Sequence, residues 1–349
     1  MTVRHWLPLL FAPLLVVACG GDDDETTPTR APTTAASGDS EEAFILFRDG
    51  AGNVVAQDLA TGEAFNYPVD FETEVVISAV CSNDGSRIAV LRQDFSVTTR
   101  ELRVAGRDEP AEPFDLSPTV QGMDWSPDGQ RIVYTEFDGF DNIHKISVLE
   151  VATGAISELT SGESIAGQPA WSPDGSAIAY NVQDILGNVS DIFIIDPDGG
   201  APRKVEVTGG GKWYDPEWVD DGKVLVAGLT GSEIQLYTVD AAGGAARQLT
   251  TSSDIFKRSP EYSPDGSQIA YTGSIVLPEV ARSWTAALHS FGIFLLNSDG
   301  SDEHALTADP RLNPGNNVDP FLDAYLLGWC RPGDWLDDSW QPFAGEPTP

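Results

Sequence analysis

AWSPDGSAIAY, which spans residues 170–180, is a stretch that this chain repeats. Two further copies match it closely: DWSPDGQRIVY at 124–134 and EYSPDGSQIAY at 261–271. Three degenerate copies are CSNDGSRIAV at 81–90, WVDDGKVLV at 218–226 and LGWCRPGDW at 327–335. Proline presets the first backbone angle of a turn, aspartate bonds to its own backbone, and glycine accepts the positive φ that follows. Because a β-branched run comes next, each copy predicts a β-hairpin.

The spacing of the copies sets the architecture. Their aromatic position falls at 81, 125, 171, 218, 262 and 329, so the steps are 44, 46, 47, 44 and 67 residues. A period of about 45 residues made of short strands is typical of one four-stranded blade of a β-propeller. The sequence therefore predicts an all-β, six-bladed β-propeller with four-stranded antiparallel blades.

The two ends of the repeat region are complementary. Residues 43–47, 53–59 and 64–69 have the pattern of the second, third and outer strands of a blade without an inner strand. The last copy supplies an inner strand near residues 325–329. We expect these N-terminal strands to pair with this C-terminal strand and close the ring, because closure removes open sheet edges.

The repeated side chains themselves are predicted to be structural. Aromatic residues that recur at one blade position pack one blade on the next, and Asp-Gly pairs shape turns. These residues are Trp125, Trp171, Trp218, Tyr262 and Trp329 for packing, and Asp128, Gly129, Asp174, Gly175, Asp265 and Gly266 for the turns.

The WSPDG phrase, followed by an IAY strand and by DIFIIDPDGG at 191–200, resembles the repeat of TolB-type six-bladed propellers over roughly residues 43–338. The resemblance implies an envelope protein whose propeller binds other proteins at one mouth of its channel. TolB carries a further N-terminal domain, in whose place this chain has a short acidic segment, so we carry over the repeat domain and not the pathway. Prolyl-oligopeptidase-type peptidases have similar repeats, but they need a Gly-x-Ser-x-Gly hydrolase domain, and GESIA at 162–166 lacks the closing glycine.

The N-terminus has the pattern of an export signal. An apolar run from Leu7 to Val17, too short to cross a bilayer, leads to Ala18 and Cys19. Val16-Val17-Ala18-Cys19 resembles the lipobox of bacterial lipoproteins, which implies that Cys19 is lipidated; the alternative is an ordinary secretion signal. Both predict an exported protein that faces the periplasm or the exterior.

Composition divides the chain into four segments. We predict a signal peptide at 1–18, a disordered Thr/Pro/Asp-rich tether at 19–42, the propeller at 43–340 and a flexible tail at 341–349. The formal net charge of −34 disfavours nucleic acid and anionic membranes as partners. We expect a monomer that touches the membrane only through its lipid anchor.

Two cysteines, Cys81 and Cys330, remain once Cys19 is assigned to lipid. Cys81 stands at the aromatic position of its copy and Cys330 one residue beyond it. Successive side chains of a strand face opposite sides, so the two cysteines should face each other across the closure point. In an oxidising compartment this predicts a disulfide that locks the ring; the alternative is two small buried residues.

Partner binding is predicted where aromatic and basic residues fall in loops at one mouth. Exposed aromatics and cations suit recognition, and cations are scarce in so acidic a chain. The candidate residues are Lys212, Trp213, Tyr214, Phe256, Lys257, Arg258, Arg282 and Trp284. The alternative is that they pack on their own blades. The insertion at 274–291, which holds Arg282 and Trp284, is expected to contain one short helical turn at 280–288.

No catalytic residue and no cofactor is predicted. The four histidines have no metal-ligand spacing, and a cation held in the channel by acids of several blades is the alternative considered. The sequence thus predicts an envelope-anchored, non-catalytic protein-binding propeller whose partner is an envelope protein or an exported peptide. The alternative is a glycan- or small-ligand-binding module or a metal-dependent propeller enzyme.

Overall fold

The structure is a computed structural model, and it describes residues 44–48, 54–58, 64–67, 74–94, 100–106, 112–116, 120–138, 143–160, 165–184, 190–220, 222–253, 255–276, 289–306 and 325–330. All of these belong to one compact unit, Ser40–Pro349. Within these ranges every regular element is a strand, and no helix is long and apolar enough to cross a membrane. Several predicted features lie outside the described residues: the signal, Cys19, the tether, the helical turn with Arg282 and Trp284, and the tail.

The first three strands of the chain belong to a sheet that the last strand completes. These three are β1 (Phe44–Arg48), β2 (Val54–Asp58) and β3 (Ala64–Tyr67). Five blades then follow one another along the chain, and we number them 1 to 5. Blade 1 contains β4 (Glu74–Cys81), β5 (Arg87–Asp94), β6 (Arg100–Gly106) and β7 (Glu112–Asp115). Blade 2 contains β8 (Val120–Trp125), β9 (Arg131–Asp138), β10 (Ile143–Glu150) and β11 (Ala155–Glu158).

The later blades follow the same order from the inner strand outwards. Blade 3 contains β12 (Ile165–Ala166), β13 (Ala170–Trp171), β14 (Ile178–Gln183), β15 (Ser190–Ile195) and β16 (Arg203–Lys204). A short strand β17 (Val207–Thr208) leads to blade 4, with β18 (Lys212–Asp220), β19 (Lys223–Thr230), β20 (Glu233–Asp240) and β22 (Arg247–Gln248). Strand β21 (Gly244–Ala245) lies between β20 and β22 in the chain but outside this sheet. Blade 5 contains β23 (Phe256–Tyr262), β24 (Gln268–Val276), β25 (His289–Asn297) and β26 (His304–Ala305). β17 and β21 pair in parallel and join the rims of blades 3 and 4.

The last described strand, β27 (Tyr325–Cys330), completes the first sheet. It pairs antiparallel with β1, with Ile45 opposite Trp329, and gives the strand order β27-β1-β2-β3. We call this sheet the closing blade. The predicted closure of the ring by N-terminal strands on a C-terminal inner strand is confirmed.

Blade 3 departs from the predicted four strands. Among the described residues five sheets, rather than six, are four-stranded; the sheet of blade 3 has five strands because its inner edge is divided between β12 and β13. Pro169 stands between these two strands and has no N–H for the ladder. Other inner strands absorb the same irregularity as a shift of register, for example between Tyr214 and Glu217.

The inner strands pack on one another in sequence around the ring. β4 packs on β8, β8 on β13, β13 on β18, β18 on β23, β23 on β27, and β27 again on β4. Each described hydrophobic cluster is shared by two neighbouring blades; one, for instance, joins Ala170 and Ile192 of blade 3 to Trp218 and Val226 of blade 4. The core of this propeller therefore lies between blades, as repeat packing requires.

Two of the recurrent tryptophans, Trp125 and Trp218, connect adjacent blades through hydrogen bonds as well as through apolar packing. Trp125 Nε1 donates to the carbonyl oxygen of Val80 (3.0 Å) and Trp218 Nε1 to that of Ala170 (3.1 Å). Both acceptors belong to the preceding blade. The side chain at the aromatic position is thus directed toward the blade before it.

The SPDG turns share one hydrogen-bond pattern. In the copy of blade 2, Ser126 Oγ donates to Asp128 Oδ1 (2.6 Å) and accepts from Arg131 N–H (2.8 Å). The same bonds recur from Ser82, Ser172 and Ser263 in blades 1, 3 and 5. Gly129 takes the positive φ of 65° that this turn demands. These turns lie where the inner strands end, and we call that side of the ring the turn face and the other side the strand-start face.

Candidate functional site

Six of the eight residues proposed from sequence as a binding mouth lie in strands and not in loops, and Arg282 and Trp284 lie outside the described residues. Lys212, Trp213 and Tyr214 begin β18, and Phe256, Lys257 and Arg258 begin β23. The loop placement was wrong because each inner strand continues past a bulge at an Asp-Pro or Ser-Pro step, which in sequence looks like the end of a strand.

Burial separates these six residues into two groups. Trp213 is 3% exposed, meets the ring of Tyr237 edge-on with centroids 5.3 Å apart, and leaves no room for a Cβ at Gly228. Tyr214 is also buried, whereas Lys212 and Phe256 are half-buried and Arg258 is exposed. Trp213 and Tyr214 therefore belong to the core, and a partner has access chiefly to Lys212, Phe256 and Arg258.

Lys257 is fully buried and serves the fold. Its Nζ donates to the main-chain oxygens of Ser252 (3.0 Å) and Ile255 (3.2 Å) and lies 3.7 Å from Glu303 Oε1. Glu303 in turn accepts hydrogen bonds from the hydroxyls of Ser252 and Tyr271. A buried cation needs such partners, and this network ties β23 to the end of blade 5.

Arg258 is held in place across the interface of blades 4 and 5. Its Nε lies 2.7 Å and its Nη2 3.2 Å from the two carboxylate oxygens of Asp215, and its guanidinium lies 4.9 Å from the ring centroid of Tyr214. Asp215 Oδ2 also accepts from Ser259 N–H (2.9 Å). The side chain of Asp215 is 8% exposed and that of Arg258 is 45% exposed. The carboxylate charge of Asp215 raises the pKa of Arg258, so the guanidinium stays charged.

The backbone is strained at Asp215 and at Ser259, the residue after Arg258. Asp215 and Ser259 have φ of 49° and 48°, and each precedes a proline at the same level of its inner strand. Non-glycine residues rarely adopt this region, and such strain persists only where the surroundings impose it. The hydrogen bond from Ser259 N–H to Asp215 and the ion pair with Arg258 provide that constraint. We call Tyr214, Asp215, Arg258 and Ser259 the clamp.

Sequence reasoning missed a second feature, a set of carboxylates at the inner edge of three blades. Asp124, Glu217 and Glu261 each precede the aromatic position of their copy. Asp124 accepts main-chain hydrogen bonds from Trp125 (2.8 Å) and from Trp171 of the next blade (2.7 Å). The repeated pattern of an acid before Trp or Tyr was the available signal. We call these three the inner-edge carboxylates.

Burial affects the ionisation of two inner-edge carboxylates, Asp124 and Glu217, and neighbouring charges also affect Glu217. Burial raises the pKa of Asp124 to about 7, against the lowering effect of its two main-chain hydrogen bonds. Burial also raises the pKa of Glu217 well above the usual value, and the charges of Asp124 and Glu261 raise it further. Among the described residues no group of three or more His, Cys, Asp or Glu side chains is arranged to hold a metal ion.

These features can be compared with known proteins. The TolB β-propeller domain family matches residues 114–308, more than half of the chain, and the chain belongs to this family. No curated protein matches it significantly.

Solved structures share the fold at low identity. TolB from Acinetobacter baumannii is 15% identical with a TM-score of 0.59, over 83% of this chain and 67% of that one. The TolB structure from Agrobacterium tumefaciens is 19% identical with a TM-score of 0.55, over 76% of this chain and 88% of that one. A prolyl endopeptidase structure is 12% identical with a TM-score of 0.50, and its match spans 81% of this chain but 42% of the peptidase. At these identities the likeness establishes a shared propeller fold.

Proposed function

We propose that this protein is an exported, lipid-anchored and non-catalytic scaffold that binds another envelope protein or an exported peptide. Membership of the TolB β-propeller domain family supports a protein partner in general. The signal-like residues 1–18 and Cys19 support export and anchoring, and the acidic segment after them would hold the propeller away from an anionic membrane.

The observation that carries the binding surface is the clamp. An arginine that is half exposed, charged and already fixed by a buried carboxylate loses little side-chain entropy when a partner binds. Arg258 also rests on an aromatic ring, which is a common composition of interface hot spots. Lys212 and Phe256, which begin the same two inner strands, extend this surface on the strand-start face.

Affinity capture tests this proposal. The full-length protein is immobilised and exposed to a detergent-solubilised envelope extract of its own organism. The test variant is Arg258→Lys, which keeps a cation beside Asp215 but loses the two-pronged ion pair and the flat contact with Tyr214. Trp213→Ala is unsuitable because it would open a cavity in the core.

Arg131→Lys is a matched control at the other side of the ring. Arg131 also rests on an aromatic ring, 4.7 Å from the centroid of Trp171, and pairs with Asp198 at 3.3 Å, but it follows a turn of the turn face. We expect one protein to be retained by the wild type and by Arg131→Lys, and at least about tenfold less by Arg258→Lys. Equal retention by both variants would overturn the clamp as the binding surface. If no protein were retained, the scaffold function itself would be overturned, and glycan and metal thermal-shift panels would test the alternatives.

A further inference from the structure

At the seam between the closing blade and blade 1, the inner strand β4 of blade 1 packs on β27 of the closing blade. Cys81, the last residue of β4, is disulfide-bonded. The chain has three cysteines, so an intramolecular partner is Cys19 or Cys330. We propose that the partner is Cys330, and that the bond locks the propeller so that the ring opens at this seam only when the bond is reduced.

The position of Cys81 in its blade directs it toward the closing blade. It occupies the aromatic position, whose tryptophans in blades 2 and 4 reach back to Val80 and Ala170 of the preceding blades. The blade that precedes blade 1 in the ring is the closing blade, because β27 packs on β4. Cys81 therefore stands where a longer side chain would reach into β27.

The position of Cys330 is complementary. It is the last residue of β27, opposite Phe44 of β1, one step beyond the aromatic position held by Trp329. In blade 1 the residue one step beyond that position is Ser82, and a Cβ on Gly129 in the turn of blade 2 would lie 3.8 Å from Ser82 Cβ. That step of the repeat thus adjoins the following blade, which for β27 is blade 1. Both cysteines end inner strands at the turn face.

At this seam the two blades do not share a sheet. β27 is bonded to β1 within the closing blade, whereas its contact with β4 is packing between blades. The chain segment between the two cysteines contains every strand from β5 to β26, so the bond closes a very long loop and restricts the unfolded chain strongly. Loss of the bond would let the closing blade separate while the other blade interfaces persist.

The disulfide forms and is reduced by two-electron exchange with another thiol–disulfide pair. Formation of the bond removes one proton and one electron from each thiol, and an oxidising protein disulfide takes them up and becomes a dithiol. Dithiothreitol reverses the step: it supplies two electrons and two protons to the two sulfurs and closes into its own cyclic disulfide. The bond therefore suits a compartment that keeps disulfides oxidised.

Peptide mapping of the full-length protein under non-reducing conditions identifies the partner directly. A cross-linked pair of peptides containing Cys81 and Cys330 is expected. A Cys81 peptide linked to Cys19, or to Cys81 of a second copy, would overturn the proposal.

Thermal unfolding and hydrogen exchange test the lock. Dithiothreitol should lower the midpoint of the wild type by about 5 °C or more, and Cys330→Ser should show this lower midpoint with and without reductant. Cys19→Ser is the matched control and should behave as the wild type does. On reduction, amides of β1 and β27 should exchange faster than those of β9 and β19. An unchanged wild-type midpoint, a reductant effect that survives in Cys330→Ser, or uniform acceleration of exchange in all blades would each overturn the lock.

Discussion

Three acidic side chains define the electrostatics at the centre of the ring. Asp124, Glu217 and Glu261 occupy one position of the repeat; burial raises the pKa of Asp124, and burial together with the charges of Asp124 and Glu261 raises the pKa of Glu217. The turn aspartates behave in the opposite way, because a hydrogen bond from Ser126 lowers the pKa of Asp128 and one from Ser263 lowers that of Asp265. As the pH falls from neutral, the free energy of unfolding should therefore first rise and then fall.

Proton binding determines whether the free energy of unfolding rises or falls with pH. The pKa of Asp124 in the folded protein, about 7, lies above its ordinary value of 3.8. Between these values the folded state holds a proton that the unfolded state has released, so the free energy of unfolding rises as the pH falls through this window. Below about pH 4 the turn aspartates take up protons and stability falls again.

We predict that Glu217→Gln removes part of this dependence. Glutamine has no charge to bury or to repel Asp124 and Glu261, so the midpoint of thermal unfolding at pH 8 should rise by about 2–5 °C. The increase of the midpoint between pH 8 and pH 5 should become smaller than in the wild type. Glu206→Gln, at an exposed position, is the control and should follow the wild type. A wild-type slope in Glu217→Gln would contradict the role of this carboxylate.

Glycines in the second strands make room for aromatic rings. Gly228 of β19 and Gly273 of β24 stand four residues beyond the strand residues paired with Trp218 and Tyr262. A Cβ on Gly273 would lie 2.6 Å from Cδ2 of Phe294 and 2.8 Å from Cγ2 of Ile255. Gly228 and Gly273 are therefore required by side-chain packing inside strands, and they do not mark turns.

Gly273→Ala is therefore expected to destabilise the protein by about 1–3 kcal/mol, because the ring of Phe294 must leave its position against Tyr271. Urea unfolding followed by tryptophan fluorescence measures this. Gly222→Ala is the matched control: its nearest neighbour is the flexible carboxylate of Asp220 at 3.4 Å, and its effect should stay below about 0.5 kcal/mol. Similar losses from both substitutions would show that the close packing at Gly273 does not matter.

The repeat predicted which strands exist better than where they begin. The hairpin after each SPDG turn was evident because Pro, Asp and Gly have local backbone preferences. The starts of β18 and β23 were not, because a proline at a bulge is tolerated in an inner strand whose free edge lies at the ring centre, whereas in sequence it signals a break. For the same reason Trp213 and Lys257 were placed in loops although they are core residues.

At the scale of the propeller, closure joins strands from the two ends of the repeat region in one sheet. β1 has partners on both sides only because β27 returns to it from the far end of the chain. Without β27 the ladder edge of β1 would be open, and the inner strands β4 and β23 would each lose a packing partner. Such edges promote association between chains.

Deletion of residues 325–349 should therefore give larger species than the wild type in size-exclusion chromatography, with a lower thermal midpoint. Deletion of residues 341–349 is the control, since it removes only the predicted tail and should leave both properties unchanged. A monomer with the wild-type midpoint after the longer deletion would refute the importance of closure. A change after the shorter deletion would show that the tail belongs to the fold.

The sequence by itself determined the repeat, the hairpin turns, the all-β class and the pairing of the two chain ends, because each depends on local turn chemistry or on counting strands. Only the tertiary structure decided the surroundings of individual side chains. It alone showed that Lys257 is buried beside Glu303, that Arg258 reaches Asp215 of the neighbouring blade, and that the charges of Asp124 and Glu261 raise the pKa of Glu217. These contacts join residues from different blades or from the ends of one blade, and their distances depend on how blades pack around the ring, which no local pattern encodes.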